Sequence, residues 1–185
     1  MIRPRLLRQT LPWALSLAAL SALCDSSTNQ EASHSPDHVG FPKDYPQVYE
    51  VVRLVCKTNE HKIVTVYGNR SAASVTNAAQ LPYPFGSIFV MESARILEDT
   101  AGKLLLEANG APKKGAITGL HVMRREPGFG KAYGTNQAGD WEFVEYKPDG
   151  SYLTAPEKSG SCAECHVKAG KRRDFVYRGR LEIKE

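Results

Sequence analysis

The sequence lacks a long apolar run, a dense set of cysteines and any evident internal repeat. The apolar run near its N-terminus, Leu11 to Leu20, is too short to span a bilayer comfortably, since a spanning helix needs about 20 residues. Four cysteines in 185 residues are too few for a disulfide-held scaffold. Repeat architectures are excluded by the missing periodicity. The length and the hydrophobic share of 42% therefore favour one globular domain with an N-terminal extension.

The first 24 residues have the layout of a secretory signal peptide. A charged region is followed by the short apolar run and then by small residues at a cleavage zone. We expect export, to the periplasm or to another space outside the cytoplasm. Two alternatives stay open: retention of the segment as an anchor, and lipidation at Cys24 after cleavage. The bulky Leu23 does not favour lipidation, because a lipobox prefers a small residue there.

The chain also lacks a strong excess of positive charge. Its formal net charge is +4, and three of its arginines, Arg3, Arg5 and Arg8, lie in the leader, which contains no acidic residue. Removal of the leader leaves a net charge of +1, which does not indicate a nucleic-acid-binding surface. The basic cluster Lys171 to Arg173 is interpreted as a solvated turn.

A polar segment separates the leader from the folded part. Asp25 to Gly40 contains almost no large apolar residue, which is typical of a flexible linker. We expect one folded domain over residues 41–185.

The pattern of that domain predicts an α+β fold, with an antiparallel β-sheet flanked by a few helices. Tyr45 to Thr58 is interpreted as a helix, because its valines recur at helical spacing, and a short helix capped by Asn69 is expected next. Strands are predicted at 61–68, 87–96, 116–126, 140–146 and 174–183, with a possible hairpin return at 104–108. The glycine-rich loop Pro127 to Gly139 is of the kind that borders a site.

The segment "CAECH" carries the clearest chemistry, and the sequence places it on a short helix near the C-terminus. Two cysteines at this spacing reach the two vinyl groups of one porphyrin, and a histidine directly after the second cysteine reaches the iron. Cys162 and Cys165 are therefore predicted to bind one covalent haem c, with His166 as the iron ligand. Export agrees with this prediction, because the attachment takes place outside the cytoplasm.

Two other uses of the cysteine pair are weaker hypotheses. A thioredoxin-like dithiol normally lies in a βαβ unit, which the chain does not show. A structural zinc site needs two further ligands at a matching spacing, and Cys56, His61 and His121 form no second close pair. A dinucleotide-binding loop and a nucleophile elbow are also absent from the sequence.

The sixth ligand of the iron decides between two functions. A methionine or a second histidine there makes an electron-transfer cytochrome, and Met91, Met123 and His121 are the candidates. An open position instead accepts small ligands. The aromatic residues of the domain supply walls for such a pocket, although most of them are expected to pack in the core.

The order and spacing of several segments resemble the cytochrome P-460 family, which includes the c′-β cytochromes. These segments are "FPKDYPQVYEVVR", "TVYGN", "PFGSIFVMES", "GDWEFVEY", "CAECH" and "DFVYRG". The resemblance implies an antiparallel sheet with flanking helices, often a homodimer, and a five-coordinate haem open to small nitrogen species such as NO or hydroxylamine. We also expect a redox partner protein.

The resemblance further implies where this chain departs from the hydroxylamine-oxidising members. Those enzymes crosslink a lysine to the porphyrin, at a place expected after "TVYGN". Residues 69–85 contain no lysine, so the crosslink is predicted to be absent and oxidoreductase activity is left open. Glu157 lies near the position of a proton-relaying carboxylate in some members, which makes it a candidate catalytic residue.

Overall fold

The structure, a computed structural model, describes residues 36–178 and contains one antiparallel sheet of six strands that follow chain order. The strands are β1 (Glu50–Lys57), β2 (Lys62–Gly68), β3 (Ile88–Ile96), β4 (Lys114–Arg125), β5 (Trp141–Tyr146) and β6 (Tyr152–Thr154). The α-helices are short: α1 (Tyr45–Val48), α2 (Arg70–Ala73) and α3 (Gly160–Val167). Turns of 3₁₀ helix lie at Thr58–Glu60, Ala78–Gln80, Lys131–Asn136, Pro156–Lys158 and Lys171–Arg173. The predicted α+β class is confirmed.

The sheet has two faces because side chains alternate along each strand. One face, called the site face, carries the adjacent row Val66, Met91, His121 and Glu145. The other, called the closed face, carries Tyr67, Val90, Leu120, Val122, Val144 and Tyr146 in one apolar cluster. Residues 36–49 contribute Val39 and Tyr45 to that cluster, so the chain that enters the domain covers the closed face.

Residues 36–40, which the sequence assigns to the linker, contact this closed face. Val39 is buried, and the Tyr146 hydroxyl donates a hydrogen bond of 2.6 Å to Asp37 Oδ2. The Asp37 carboxylate also accepts from the backbone amides of Val39 and Gly40. This stretch therefore combines local turn bonds with contacts on β5 and β6: the Tyr152 hydroxyl also donates to Asp37 Oδ2 at 3.2 Å, and His38 Nδ1 lies 3.2 Å from Glu142 Oε2. The predicted signal peptide and the remainder of the linker lie outside the described residues.

The prediction of a helix over Tyr45 to Thr58 is wrong for most of that segment. Only Tyr45–Val48 is helical, and Glu50–Lys57 forms β1 at the edge of the sheet. Pairing of β1 with β2 satisfies its backbone, and β-branched side chains suit a strand. The helical spacing of the valines misled because an edge strand does not bury them on one stripe, and Val48 and Val51 are exposed.

The predicted strands β2, β3, β4 and β5 are confirmed, and so is the helix capped by Asn69, whose Oδ1 accepts from the Ala72 amide at 3.0 Å. The predicted C-terminal strand is wrong over 174–178, which form a turn and irregular chain, and its remaining residues lie outside the described range. Residues 104–108 make only isolated bridges in a long excursion between β3 and β4. None of the helices between residues 36 and 178 combines the length and hydropathy needed to span a bilayer.

Candidate functional site

The "CAECH" segment lies on α3, and α3 packs across the site face of the sheet. Ala163 on this helix is fully buried and belongs to the same apolar cluster as Phe89 and Phe143. Ser159 precedes the helix, and its hydroxyl lies 2.9 Å from that of Tyr133. The Tyr133 oxygen also accepts from the Phe143 amide on β5 at 3.1 Å. One tyrosine from the glycine-rich loop therefore joins the start of α3 to the sheet.

A cavity of about 630 Å³ lies between α3 and the site face. Cys162, Cys165 and His166 line it from the helix side. Its sheet side is largely apolar and is formed by Val55, Val64, Val66, Phe89, Met91, Met123 and Phe143, with Arg53, Lys57, Lys62 and Arg178 among its charged lining residues. The volume lies in the range of cofactor and ligand pockets, which are mostly apolar with a few placed polar groups.

The His166 ring is held from two sides. Its Nδ1 lies 2.7 Å from the carbonyl oxygen of Phe175, so the protonated Nδ1 donates and Nε2 is left to bind a metal. The Phe143 ring packs against it with a centroid distance of 4.5 Å. Burial lowers the pKa of His166 and outweighs the opposing effect of the Phe175 hydrogen bond. The neutral imidazole, which is the form that binds iron, is therefore favoured.

The two cysteines differ in their surroundings, and both are free thiols. Burial raises the pKa of Cys162 to about 11, and the nearby Glu145 carboxylate adds to the rise. Cys165 is exposed. A thiol with such a raised pKa is a poor nucleophile at neutral pH, which disfavours a redox dithiol. A zinc site is also disfavoured, because residues 36–178 contain no group of three histidine, cysteine or acidic side chains placed to hold a metal.

A polar row crosses the sheet side of the cavity. His121 on β4 pairs with Glu145 on β5 through its Nδ1, and the Thr154 hydroxyl on β6 donates to the other Glu145 oxygen. His121 is about two-fifths exposed, and Glu145 is about one-fifth exposed. Met91 lies directly beside His121 in the β3–β4 register. The cavity thus contains a histidine–carboxylate pair next to Met91.

The predicted sixth-ligand candidates are brought together here. Met91, His121 and Met123 all line the cavity. Met123 is buried within the apolar cluster, whereas Met91 and His121 are partly exposed. His61 lies elsewhere, at the turn before β2, where it is exposed and pairs with Glu98.

Two other predicted features lie away from the cavity. Glu157 is exposed in the turn Pro156–Lys158 and is not among the described residues that line the cavity. Residues 69–85, which contain no lysine, do not line the cavity either. Its lysines are Lys57 and Lys62, at the paired ends of β1 and β2. Among the described residues, the lysines that line the cavity therefore lie at strand ends and not after "TVYGN".

Sequence reasoning missed the partner of His121. The sequence correctly places Glu142 and Glu145 on opposite faces of β5, and Glu142 contacts His38 and the Gly130 amide. That His121 faces Glu145 depends on the register between β4 and β5. The register is set by the whole hairpin and its loop. The sequence alone shows which face of its own strand each residue lies on, and not which residue it faces on the neighbouring strand.

The cavity fits a covalently held haem. Two free thiols at the porphyrin-bridging spacing and an imidazole with a free Nε2 converge on it. Apolar side chains suit the porphyrin faces, and arginine and lysine side chains suit its propionates.

The comparisons with known proteins agree with this geometry. The family model described as Cytochrome P460 matches residues 42–178, which covers the sheet, the cavity and the helix. A search of the curated proteins finds no match. The chain therefore belongs to the cytochrome P460 family, and this membership implies a haem cofactor.

Proposed function

We propose that the protein is an exported mono-haem c-type cytochrome whose iron binds or transforms small nitrogen ligands. Cys162 and Cys165 form the thioether bonds, and His166 binds the iron. The observation that carries the proposal is that these three side chains line one cavity against the site face. The periplasm or a comparable exported space is the expected location, since the attachment chemistry requires it.

The chain's own residues prepare this site in two ways. The contact between Tyr133 and Ser159 fixes the beginning of α3. Both thiols therefore extend from a helix whose position on the sheet is fixed. The Phe175 carbonyl selects the His166 tautomer with its proton on Nδ1. Haem held by Cys162, Cys165 and His166 would supply a redox-active iron that can bind a small ligand.

An open axial position is supported by the composition of the cavity. Its wall is mostly apolar, and such a wall favours neutral small molecules such as NO or hydroxylamine over ions. The pair of His121 and Glu145 can accept and return a proton there, which the oxidation of a reduced nitrogen compound requires. Whether the protein turns over such a compound or only binds it distinguishes an enzyme from a sensor or carrier.

A six-coordinate electron-transfer cytochrome is the alternative function. It is favoured by one observation, which is that Met91, Met123 and His121 line the same cavity as His166. A methionine or histidine on the iron would exclude external ligands and would leave electron transfer as the activity.

Absorption spectra of the purified ferrous protein separate the two functions. A high-spin spectrum that changes on addition of CO is expected for the open site. A low-spin spectrum that is indifferent to CO would establish the alternative instead. If the alternative holds, Met91→Ala, Met123→Ala and His121→Ala identify the ligand, because only the ligand's variant gains a CO response.

We propose that this cytochrome lacks a lysine–porphyrin crosslink. The proposal is supported by the centre of the site face, where Met91 lines the cavity, because the two lysines that line it, Lys57 and Lys62, lie at the paired ends of β1 and β2. A Soret band displaced far to the red on reduction would contradict this statement. The variants Lys57→Arg and Lys62→Arg would then show which cavity lysine forms the bond.

A homodimer and a redox partner protein are the proposed partners. Three apolar side chains at this edge of the sheet are each more than half accessible: Val48 at the end of α1, and Val51 and Leu54 on edge strand β1. An edge strand with exposed apolar side chains is suited to pairing with a second copy. Sedimentation of the wild type and of a Val51→Lys variant tests the dimer, which the lysine should dissociate.

A further inference from the structure

The short segment after the haem-binding helix has an uncommon backbone. Two consecutive residues, Asp174 and Phe175, have left-handed conformations with φ of 48° and 60°. Residues other than glycine, asparagine and aspartate seldom adopt this region, and a bulky phenylalanine there is an outlier. Such a conformation persists only where the surroundings hold it.

The side-chain contacts of Asp174 stabilise this conformation. Its side chain is about nine-tenths buried, and its Oδ2 accepts the Tyr83 amide at 2.9 Å. Arg125 approaches the same oxygen with its Nε at 3.5 Å and also pairs with Asp140. The Arg125 guanidinium donates to the Tyr83 carbonyl as well, so both polar backbone groups of Tyr83 are used. Asp174 is thus tied to the loop before β3 and to the end of β4.

Gly139 makes room for the residue that follows. A Cβ at Gly139 would lie 3.0 and 3.1 Å from two ring carbons of Phe175. Gly139 itself has a φ of 61°. The absence of a side chain there therefore lets the Phe175 ring settle against the loop that leads to β5, beside the anchored Asp174.

The consequence of these contacts is the direction of one carbonyl group. With Asp174 and Phe175 held in the left-handed region, the Phe175 carbonyl oxygen lies 2.7 Å from His166 Nδ1. Resting on the haem function proposed above, we propose that Asp174 is a positioning residue that holds this carbonyl on His166, with Arg125 as its support. A hydrogen bond from the ligating imidazole to an acceptor orients the ring and strengthens it as a donor to the metal.

The experiment uses the full-length, haem-loaded protein and two substitutions at one position. Asp174→Gly removes the anchor and adopts a positive φ without steric strain. Asp174→Asn also tolerates this region and keeps an oxygen for the Tyr83 amide, although it loses the charge that pairs with Arg125. Glu164→Gln is the control, because it removes an exposed carboxylate two residues from His166 without touching the turn.

Two readouts report on the imidazole rather than on folding. They are the iron–histidine stretching frequency of the ferrous protein and the reduction potential. We expect Asp174→Gly to lower the frequency and to raise the ratio of reduced to oxidised haem at a fixed potential by about threefold to tenfold, a tenfold change being about 59 mV for a one-electron couple. Asp174→Asn should lie between Asp174→Gly and the wild type, and Glu164→Gln should match the wild type.

The outcomes separate this inference from the proposed function. Loss of stability in Asp174→Gly with an unchanged frequency and potential would overturn the positioning role and leave the haem function intact. An equal shift in Glu164→Gln would also overturn it, because the effect would then be general electrostatics. If wild-type protein carries no covalent haem, the proposed function itself fails. Should Asp174→Gly not fold, the readouts on Asp174→Asn alone decide, since a wild-type frequency and potential there would overturn the role.

Discussion

The two faces of the central sheet differ in how they are covered and in which polar groups they carry. The closed face is packed against residues 36–49, and its one buried acid, Glu92, is held by the Tyr45 hydroxyl and by Lys114. The site face instead leaves a cavity of about 630 Å³ beneath α3 and carries the pair of His121 and Glu145. Adjacent residues of one strand thus pack in an apolar cluster on one side and line the cavity on the other.

The largest expected effect is the loss of stability when a buried side chain of the closed face is truncated. Leu120 on the closed face is almost fully buried, so Leu120→Ala should lower the free energy of unfolding by about 2–5 kcal/mol. Its haem spectrum and CO response should stay those of the wild type. Urea unfolding and absorption spectra check both parts.

Met91→Ala is the matched change on the site face. Because Met91 is only partly buried and borders the cavity, we expect a loss of about 1 kcal/mol or less together with an altered affinity for CO. Equal stability losses in the two variants would show that the faces are not specialised in this way.

The next effect concerns the buried carboxylate of the closed face. Tyr45→Phe removes the hydroxyl that donates to Glu92, and a buried acceptor that loses a donor costs about 1–3 kcal/mol. Tyr67→Phe is the control, since the Tyr67 ring packs on Tyr45 at 5.0 Å but its hydroxyl does not bind Glu92. A loss in the control as large as that in Tyr45→Phe would contradict a specific contribution of the hydrogen bond to Glu92, because both substitutions keep the ring and remove only a hydroxyl group.

The smallest effect is a loss of stability at alkaline pH. Burial raises the pKa of Tyr45 and Tyr146, and their hydrogen bonds to Glu92 and Asp37 add to the rise. The unfolded tyrosines ionise near pH 10 while the folded ones stay protonated, so stability is complete below that pH and falls as the pH rises through it. The two residues together should cost about 1 kcal/mol between pH 8 and pH 10.

Urea titrations at the two pH values measure this fall, and Tyr45→Phe should show a shallower one. If the absorbance of Tyr45 and Tyr146 in the folded protein showed ionisation at the ordinary pKa of tyrosine, the raised pKa of these residues would be contradicted.

Much of the fold could be predicted from the sequence because alternation and turn residues are local signals. Strands β2 to β5 and the Asn69 cap follow from such signals. Segment Glu50–Lys57 could not be assigned correctly, since its state depends on pairing with β2 and not on its own periodicity. The "CAECH" motif could be recognised because covalent attachment fixes the spacing of its residues.

The surroundings of the motif could not be predicted in the same way. The pairing of His121 with Glu145 depends on strand register, and the approach of Asp174 to Tyr83 joins positions 91 residues apart. No local pattern in the sequence reports either contact. These two contacts therefore emerge only from the three-dimensional structure.

The most direct test of the account is the intact mass of the denatured protein. The wild type should carry the mass of one haem, and Cys162→Ala/Cys165→Ala should carry none. The Cys56→Ala variant, which alters the exposed cysteine of β1, should retain the full gain. A wild-type mass without haem, or a haem that persists in the double variant after denaturation, would contradict attachment at α3.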